Sequence, residues 1–258
     1  MKNELLLLAG SDIPFPEARV TIHQPTLKEI GYIGEKTFFM GCGFLDFSKN
    51  LLNSTDKNKL SEINDFDILM SIMINRNEEV SSTVDSALAV LSLIFPLYDV
   101  EVRKDKVAII LKQDSQEFEI NKTNFPIFKS IIVEMFNLKH NDNDTYNPEG
   151  SLSKKIAEKF KKRHEHLNKL KEEINLEKGI SVLSRYVSIL AVGLQKDLNQ
   201  LMNYTVYQLY DEFQRFQLKT QWDAYVQARM AGAKDLEEVD NWMIDLKDQG
   251  KNKNKNKK

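Results

Sequence analysis

The sequence predicts a predominantly helical α+β fold: an N-terminal α+β unit with a small antiparallel sheet, followed by a C-terminal helical region. Apolar residues recur at helical spacing along most of the chain, whereas between residues 98 and 120 their period changes to two, which is the period of strands. Beyond residue 150, helix-forming residues prevail throughout. These observations place the strands in the first half of the chain and helices alone in the second.

The first forty residues contain both strand and helix signals. The short apolar run at residues 5–9 is interpreted as a buried first strand, and the alternation at residues 18–23 as a second strand. Thr26 and Glu29 have the spacing of a capping box, in which each side chain bonds a free amide at a helix start. A helix is therefore predicted over residues 27–39.

Glycines on both sides of Cys42 predict an interruption of this helix, at a point where two backbones approach closely. Helical patterns follow at residues 44–52, 65–75 and 84–95, and Ser82 is the predicted cap of the last. The strongly apolar segment 84–95 is expected to be the central core helix.

Period-two alternation then predicts three short strands, near residues 100–102, 107–111 and 118–120, connected by polar turns. Pro126 fits the first turn of a helix, because its fixed φ suits that position and the turn needs no amide hydrogen there. Residues 1–138 are thus predicted to form one α+β domain.

The rest of the chain divides by composition. Residues 139–150 are polar and rich in turn formers, which indicates a linker, and residues 151–247 are predicted to form a helical extension. Residues 248–258 alternate Lys with Asn and contain no apolar side chain, so we expect a disordered tail.

Three helices are predicted in the extension after its basic first segment. One covers residues 180–194, and a second capping box, Thr205 with Gln208, opens a long helix that ends near Met230. Gly232 fits the C-terminal cap of that helix, and a last short helix is predicted over residues 235–246.

Composition argues against several functional classes. The net charge of −2 provides no general attraction for nucleic acid or anionic membranes, and the single cysteine excludes an internal disulfide. His164 and His166 lie two positions apart, whereas a zinc pair on a helix needs a spacing of four. No catalytic, metal or cofactor site is predicted, so we expect a soluble, intracellular, non-enzymatic protein.

Aromatic residues crowd into the last predicted helices and point to a binding surface. They do not fall on one narrow face, so the helix must be buried in a bundle or covered by a partner. Both alternatives are open at this stage. The candidate partner-binding residues are Tyr207, Tyr210, Phe213, Phe216, Trp222, Tyr225 and Trp242.

Several segments resemble a known family. The patterns at residues 5–10, 23–35 and 65–70 resemble small proteins from the tail modules of phages that infect Gram-positive bacteria. The patterns at residues 204–213, 229–234 and 241–243 are similar to the ends of proteins encoded beside the tape-measure gene. Proteins of this kind resemble tail assembly chaperones, in which an N-terminal domain occurs alone or with a helical extension.

The resemblance implies a non-enzymatic chaperone that keeps the tape-measure protein soluble during tail assembly, with the tail-tube protein as a further candidate partner. It also implies a location in the host bacterial cytoplasm and absence from the mature virion. Two alternatives stand beside it. One is a structural connector or completion protein of the tail, and the other is a nucleic-acid-binding regulator that uses the basic residues between 154 and 171.

Overall fold

The computed structural model describes residues 3–47, 64–76, 78–138, 181–233 and 239–246. Within these ranges the chain is mainly helical, with one two-stranded and one three-stranded antiparallel sheet in the N-terminal part and helices in the C-terminal part. The predicted α+β class is confirmed.

The chain begins with helix α1, Glu4–Ala9, and the interpretation of this run as a buried strand is wrong. Only Leu7 is buried, while Leu5 is 82% exposed. Leucine favours helices, and apolar periodicity cannot separate helix from strand in so short a run. Gly10 ends the helix in the left-handed conformation, at a φ of 66°.

A small hairpin follows α1. Strand β1, Ile13–Phe15, pairs antiparallel with β2, Val20–Ile22, and the apolar residues of both strands face the core. The predicted strand at residues 18–23 is confirmed in β2. Strand β1 was not predicted, because its proline, Pro14, argues against a strand; the proline is tolerated here at an exposed position of a two-stranded sheet.

Two helices occupy the region of the first predicted helix: α2, Leu27–Ile33, and α3, Glu35–Leu45. The capping box of Thr26 and Glu29 is present, as predicted. Gly34 separates the helices, because its φ of 86° is incompatible with a continuing helix. The break therefore lies seven residues before Gly41, and the predicted interruption at residues 41–43, which lie inside α3, is wrong.

Helices α4, Asp65–Ile74, and α5, Glu78–Ile94, form the next layer. The prediction of α4 is confirmed. Helix α5 begins before residue 84, and Ser82 lies inside it, where its carbonyl accepts a hydrogen bond from the Ser86 hydroxyl. The polar first turns of α5 carry no apolar run, so the sequence pattern placed its start too late.

Helix α3 packs closely against α5. A Cβ atom at Gly41 would lie 2.4 Å from the carbonyl oxygen of Ser86, so the predicted close backbone approach is real although the helix is continuous. Cys42 is buried, and burial raises the pKa of its thiol far above the usual range. Helix α3 ends at Leu45, so the helix predicted over residues 44–52 is absent at residues 46 and 47. Residues 48–52 lie outside the described ranges.

The three-stranded sheet comprises β3, Asp99–Arg103, β4, Ala108–Gln113, and β5, Gln116–Ile120, in the order β3-β4-β5. All three predicted strands are confirmed. Helix α6, Phe125–Met135, follows with its proline in the first turn, also as predicted. Phe128 of α6 is buried, and its ring centroid lies 6.0 Å from those of Phe15 and Phe95.

The described C-terminal helices are α7, Val182–Leu194, α8, Leu198–Met202, and α9, Val206–Met230. The capping box and the end of α9 are confirmed, and Gly232 follows with a φ of 88°. The short helix α8 was not predicted. Residues 239–246 contain no α-helix, so the predicted last helix is wrong over that part.

The C-terminal helices contribute to the same hydrophobic core as the N-terminal elements. Thr26 and Thr205 form an antiparallel bridge, and the Leu27 amide donates to the Tyr204 carbonyl at 2.8 Å. The division into domains at residue 138 stays a prediction. The predicted linker, the segment 151–180 and the Lys/Asn tail lie outside the described ranges.

Candidate partner-binding surface

Helix α7 is held in place by a side chain from the N-terminal part. The Glu35 carboxylate accepts hydrogen bonds from the Val182 amide at 2.7 Å and the Leu183 amide at 3.3 Å, and from the Ser181 hydroxyl. The Ser181 hydroxyl accepts from the Ser184 amide at 2.9 Å. Three of the free amides at the start of α7 are thereby satisfied, and the carboxylate is placed favourably in the helix dipole.

The first turns of α9 pack against α7 through aromatic rings, which we call the proximal cluster: Tyr186, Tyr210, Phe213 and Phe216. Tyr186 stacks on Phe213 with ring centroids 4.1 Å apart and meets Tyr210 edge-on at 5.4 Å. Burial, together with the nearby Tyr186 and Glu35, raises the pKa of Tyr210 to about 12. This part of the predicted surface is therefore largely used for internal packing.

Phe216 packs where α7 has no side chain. A Cβ atom at Gly193 would lie 2.3 Å from the ring tip of Phe216, so the glycine makes room for the ring. Phe216 remains half-buried, whereas Phe213 is only 8% exposed. Tyr207, one turn before the cluster, is also half-buried.

The last three turns of α9 have a different character. No residue of α9 after Leu218 is buried, yet this stretch carries the distal cluster: Trp222, Tyr225 and Arg229. The rings of Trp222 and Tyr225 lie 6.0 Å apart, and the Arg229 guanidinium lies 5.8 Å from the centre of the Tyr225 ring. The three residues follow the spacing of one helix face.

Trp242 lies in the segment 239–246, which returns towards α9. The Arg215 guanidinium donates to the carbonyl of Trp242 at 3.1 Å and to that of Ile244 at 2.6 Å. Arg215 and Trp222 are seven residues apart and share a helix face. The half-buried Trp242 is thus held near α9, the helix that carries the other predicted aromatics.

A small polar cluster joins the connection between α7 and α8 to the start of α9. The Lys196 ammonium donates to the Tyr204 hydroxyl at 2.6 Å and to the Glu212 carboxylate. Burial would lower the pKa of Lys196, but these two partners outweigh it and raise the pKa. Burial also raises the pKa of Asp211 on the same helix. The cluster has a structural role, because the Lys196 ammonium is paired with the Glu212 carboxylate and links two parts of the chain that are 16 residues apart.

Helices α7 and α8 also carry exposed aliphatic residues that were not predicted from the sequence. Ile189 and Val192 lie on the outer side of α7, and Leu198 of α8 is 55% exposed. These residues lie outside the main apolar stripe of each helix, the stripe that identifies the buried face in a sequence. Apolar residues outside the main stripe of a helix are therefore the sequence signal for such exposed positions.

The remaining expectations concern metals and membranes. Across the described ranges, no group of three or more His, Cys, Asp or Glu residues could hold a metal ion. In the same ranges, no helix is both long and apolar enough to cross a membrane.

That the seven candidate residues bind a partner remains a prediction. Phe213 is buried, and the other six are half-buried.

A comparison with family models connects the C-terminal region to phages. Residues 169–247 match the family model described as YomV second domain, which is a phage-derived family. The match includes α7, α8, α9 and the segment 239–246, and it covers less than a third of the chain. Comparisons with curated proteins and with solved structures found no match. The family match supports a phage protein.

Proposed function

We propose that this chain is a non-enzymatic phage tail assembly chaperone, which binds the tape-measure protein and keeps it soluble until the tail tube forms around it. The proposal combines the phage-derived family match over residues 169–247 with the chemistry of the distal cluster. A chaperone of this kind needs apolar surface that the free protein can tolerate and a partner can cover.

The distal cluster is the observation that carries the proposal. Tryptophan, tyrosine and arginine are the residues most enriched among those that dominate binding energies at protein interfaces. Here all three occur on the part of α9 that has no buried residue, so they are not needed to complete the core of the described fold. Met230, 84% exposed at the end of α9, adds a flexible apolar side chain of the kind found at adaptable binding surfaces.

The direct test is co-expression with the tape-measure protein of the same phage. We expect the wild-type chain to increase the soluble fraction of that protein and to elute with it from a size-exclusion column. Trp222→Ala and Tyr225→Ala should each weaken the complex by about tenfold or more, the usual cost of truncating a dominant interface aromatic.

The matched control is Leu97→Ala, because Leu97 is 69% exposed and lies outside the C-terminal helices. This variant should bind like the wild type. If the tape-measure protein stays insoluble beside the wild-type chain and no complex elutes, the proposal is wrong.

Mass spectrometry of purified virions separates a chaperone from a structural tail component. A chaperone should be absent from the particle, because it leaves when the tube subunits polymerise. A stoichiometric amount of this chain in the virion would instead identify it as a connector or completion protein.

A further inference from the structure

Arg215 of α9 holds the segment that carries Trp242. Its nitrogen Nη1 donates to two main-chain carbonyls, that of Trp242 at 3.1 Å and that of Ile244 at 2.6 Å. Hydrogen bonds from a charged donor are stronger than neutral ones, and the planar guanidinium group gives them a defined direction. One side chain of α9 thus fixes this stretch of backbone at two points.

The segment that Arg215 holds is a tight turn. The Ile244 amide donates to the Asn241 carbonyl at 3.1 Å, and the Met243 amide donates to the Asn241 side-chain oxygen at 3.0 Å. Asparagine favours the first position of such a turn, because its side chain can bond the backbone two residues further on. Two bonds inside the turn and two from Arg215 therefore define one conformation for residues 241–244.

The two central positions of this turn, which we call the tip, carry large apolar side chains, Trp242 and Met243. Central turn positions favour small or polar residues that suit the turn geometry. Met243 is nevertheless 69% exposed, and Trp242 is half-buried, so the packing of the described fold does not account for an apolar tip. The turn therefore presents apolar surface in a fixed position.

Arg215 also places the tip beside the distal cluster. One face of α9, about 21 Å long, contains residues at intervals of three or four: Arg215, Leu218, Trp222, Tyr225 and Arg229. Leu218, one turn after Arg215, is only 2% exposed and is not part of the main hydrophobic core, which agrees with a turn that lies over α9 at this level. The turn and the distal cluster thus occupy successive parts of one helix face.

The distal cluster alone is small for a protein interface. It spans two turns of α9, about 10 Å, whereas each partner in a standard interface buries about 800 Å². A fully buried aromatic side chain supplies about 150–250 Å², and Trp222 and Tyr225 are already half-buried. The tip, together with Met230 at the end of α9, supplies further apolar area next to the cluster.

We propose that Arg215 is a positioning residue for partner binding: it holds Trp242 and Met243 beside the distal cluster, so that turn and helix bind the tape-measure protein as one surface. This assignment rests on the proposed function and deepens it, because it adds Met243 and Arg215 to the binding site. Arg215 acts through the tip. By fixing the tip in the free protein, it removes the cost of ordering these side chains when the partner binds.

A double-mutant cycle tests this role. The variants are Arg215→Ala, the tip variant Trp242→Ala/Met243→Ala, and the combination of the two. The control is Arg185→Ala, because Arg185 is an exposed arginine of the adjacent helix α7. Asn241→Ala loosens the turn from within and leaves α9 unchanged. The Kd is measured by serial dilution of the purified complex with the tape-measure protein, and circular dichroism measures the helix content of each variant.

We expect Arg215→Ala to raise the Kd about tenfold and Asn241→Ala about threefold, because the tip must then be ordered on binding. The tip variant should raise the Kd about tenfold or more. Adding Arg215→Ala to the tip variant should change the Kd by no more than about twofold, since no tip remains to be positioned. The control should stay within about twofold of the wild type.

Two results would overturn the positioning role and leave the proposed function intact. One is an unchanged or lower Kd in Arg215→Ala, and the other is an effect of Arg215→Ala that persists in full in the tip variant. If Arg215→Ala does not fold, Asn241→Ala decides, and an unchanged Kd in that variant overturns the role. If the wild type does not bind the tape-measure protein, the proposed function fails, and this assignment fails with it.

Discussion

Replacing Glu35 by alanine should loosen the attachment of α7 to the N-terminal elements. The substitution removes the acceptor for the Val182 and Leu183 amides and for the Ser181 hydroxyl. Val182 and Leu183 are the first two residues of α7, and Leu183 belongs to the buried core, so its amide has little access to water as a replacement partner.

The expected cost can be bounded from these contacts. A hydrogen bond to a charged group contributes about 1.5–3 kcal/mol, and loss of a helix cap costs about 1 kcal/mol. Because Glu35 is only half-buried, we expect the free energy of unfolding to fall by about 2 kcal/mol in Glu35→Ala. Glu35→Gln keeps one acceptor and should lose about 1 kcal/mol, mainly through the lost charge at the start of α7.

Urea denaturation followed by tryptophan fluorescence and by circular dichroism measures this cost. Both tryptophans, Trp222 and Trp242, lie in the C-terminal part, so fluorescence reports that part while circular dichroism reports all helices. The control is Glu78→Ala, because Glu78 is an exposed acid in the first turn of α5. An unfolding free energy for Glu35→Ala within about 0.5 kcal/mol of that control, the range of an ordinary surface substitution, would refute the reasoning.

Three further predictions concern the N-terminal part. Gly41→Ala should lower the free energy of unfolding by about 2 kcal/mol, because the new Cβ would lie 2.4 Å from the Ser86 carbonyl oxygen; unchanged stability in urea would show that α3 and α5 can separate freely. Gly43→Ala should raise it by up to about 1 kcal/mol, since alanine favours the helix and meets nothing there; a destabilised variant would contradict this. The Lys112 ammonium lowers the pKa of Glu101, and the Arg103 guanidinium lowers the pKa of Glu117. The stability that these two carboxylates contribute should be complete above the unfolded-state pKa of about 4.3, and it should be lost as pH falls through the lowered pKa values of the folded state. Urea titrations from pH 7 to pH 2 should therefore show a shallower acid loss in Glu101→Gln/Glu117→Gln, and equal slopes would argue against it.

The alternation in the three-stranded sheet shows why its prediction succeeded. β4 has Ile109 and Leu111 towards the core, whereas its buried Ala108 and Ile110 lie on the opposite face, the face that carries ion pairs such as Lys112 with Glu101 and Arg103 with Glu117. The edge strands β3 and β5 alternate apolar with charged residues, and this period of two is visible in the sequence whatever lies farther away in the chain.

The errors share a different cause. Residues 5–9 fit helix or strand equally well, and only their place in the fold exposes Leu5 and buries Leu7. The glycine that breaks a helix is Gly34, because of its φ of 86°, whereas Gly41 serves a close helix crossing. The sequence alone does not show whether a glycine ends a helix or allows two helices to approach closely.

The candidate surface was found only in part for the same reason. The sequence pointed to the aromatic residues of α9, but it did not distinguish the proximal cluster from the distal cluster. The proximal cluster includes Tyr186 of α7 and is packed inside the fold, whereas the distal cluster lies on the part of α9 that has no buried residue. The sequence contained no indication of the apolar pocket that α2, α7 and α8 line, because α2 and α8 are far apart in the chain and meet only in the fold.

Local sequence patterns were enough to predict the fold class, both capping boxes, the three-stranded sheet and the aromatic character of α9, since these depend on residues within a few positions of one another. The folded chain alone reveals that Glu35 caps α7, that Thr26 pairs with Thr205, and which apolar side chains stay exposed to solvent. Such contacts join residues more than a hundred positions apart, and no local pattern encodes which distant surface will cover a given helix face.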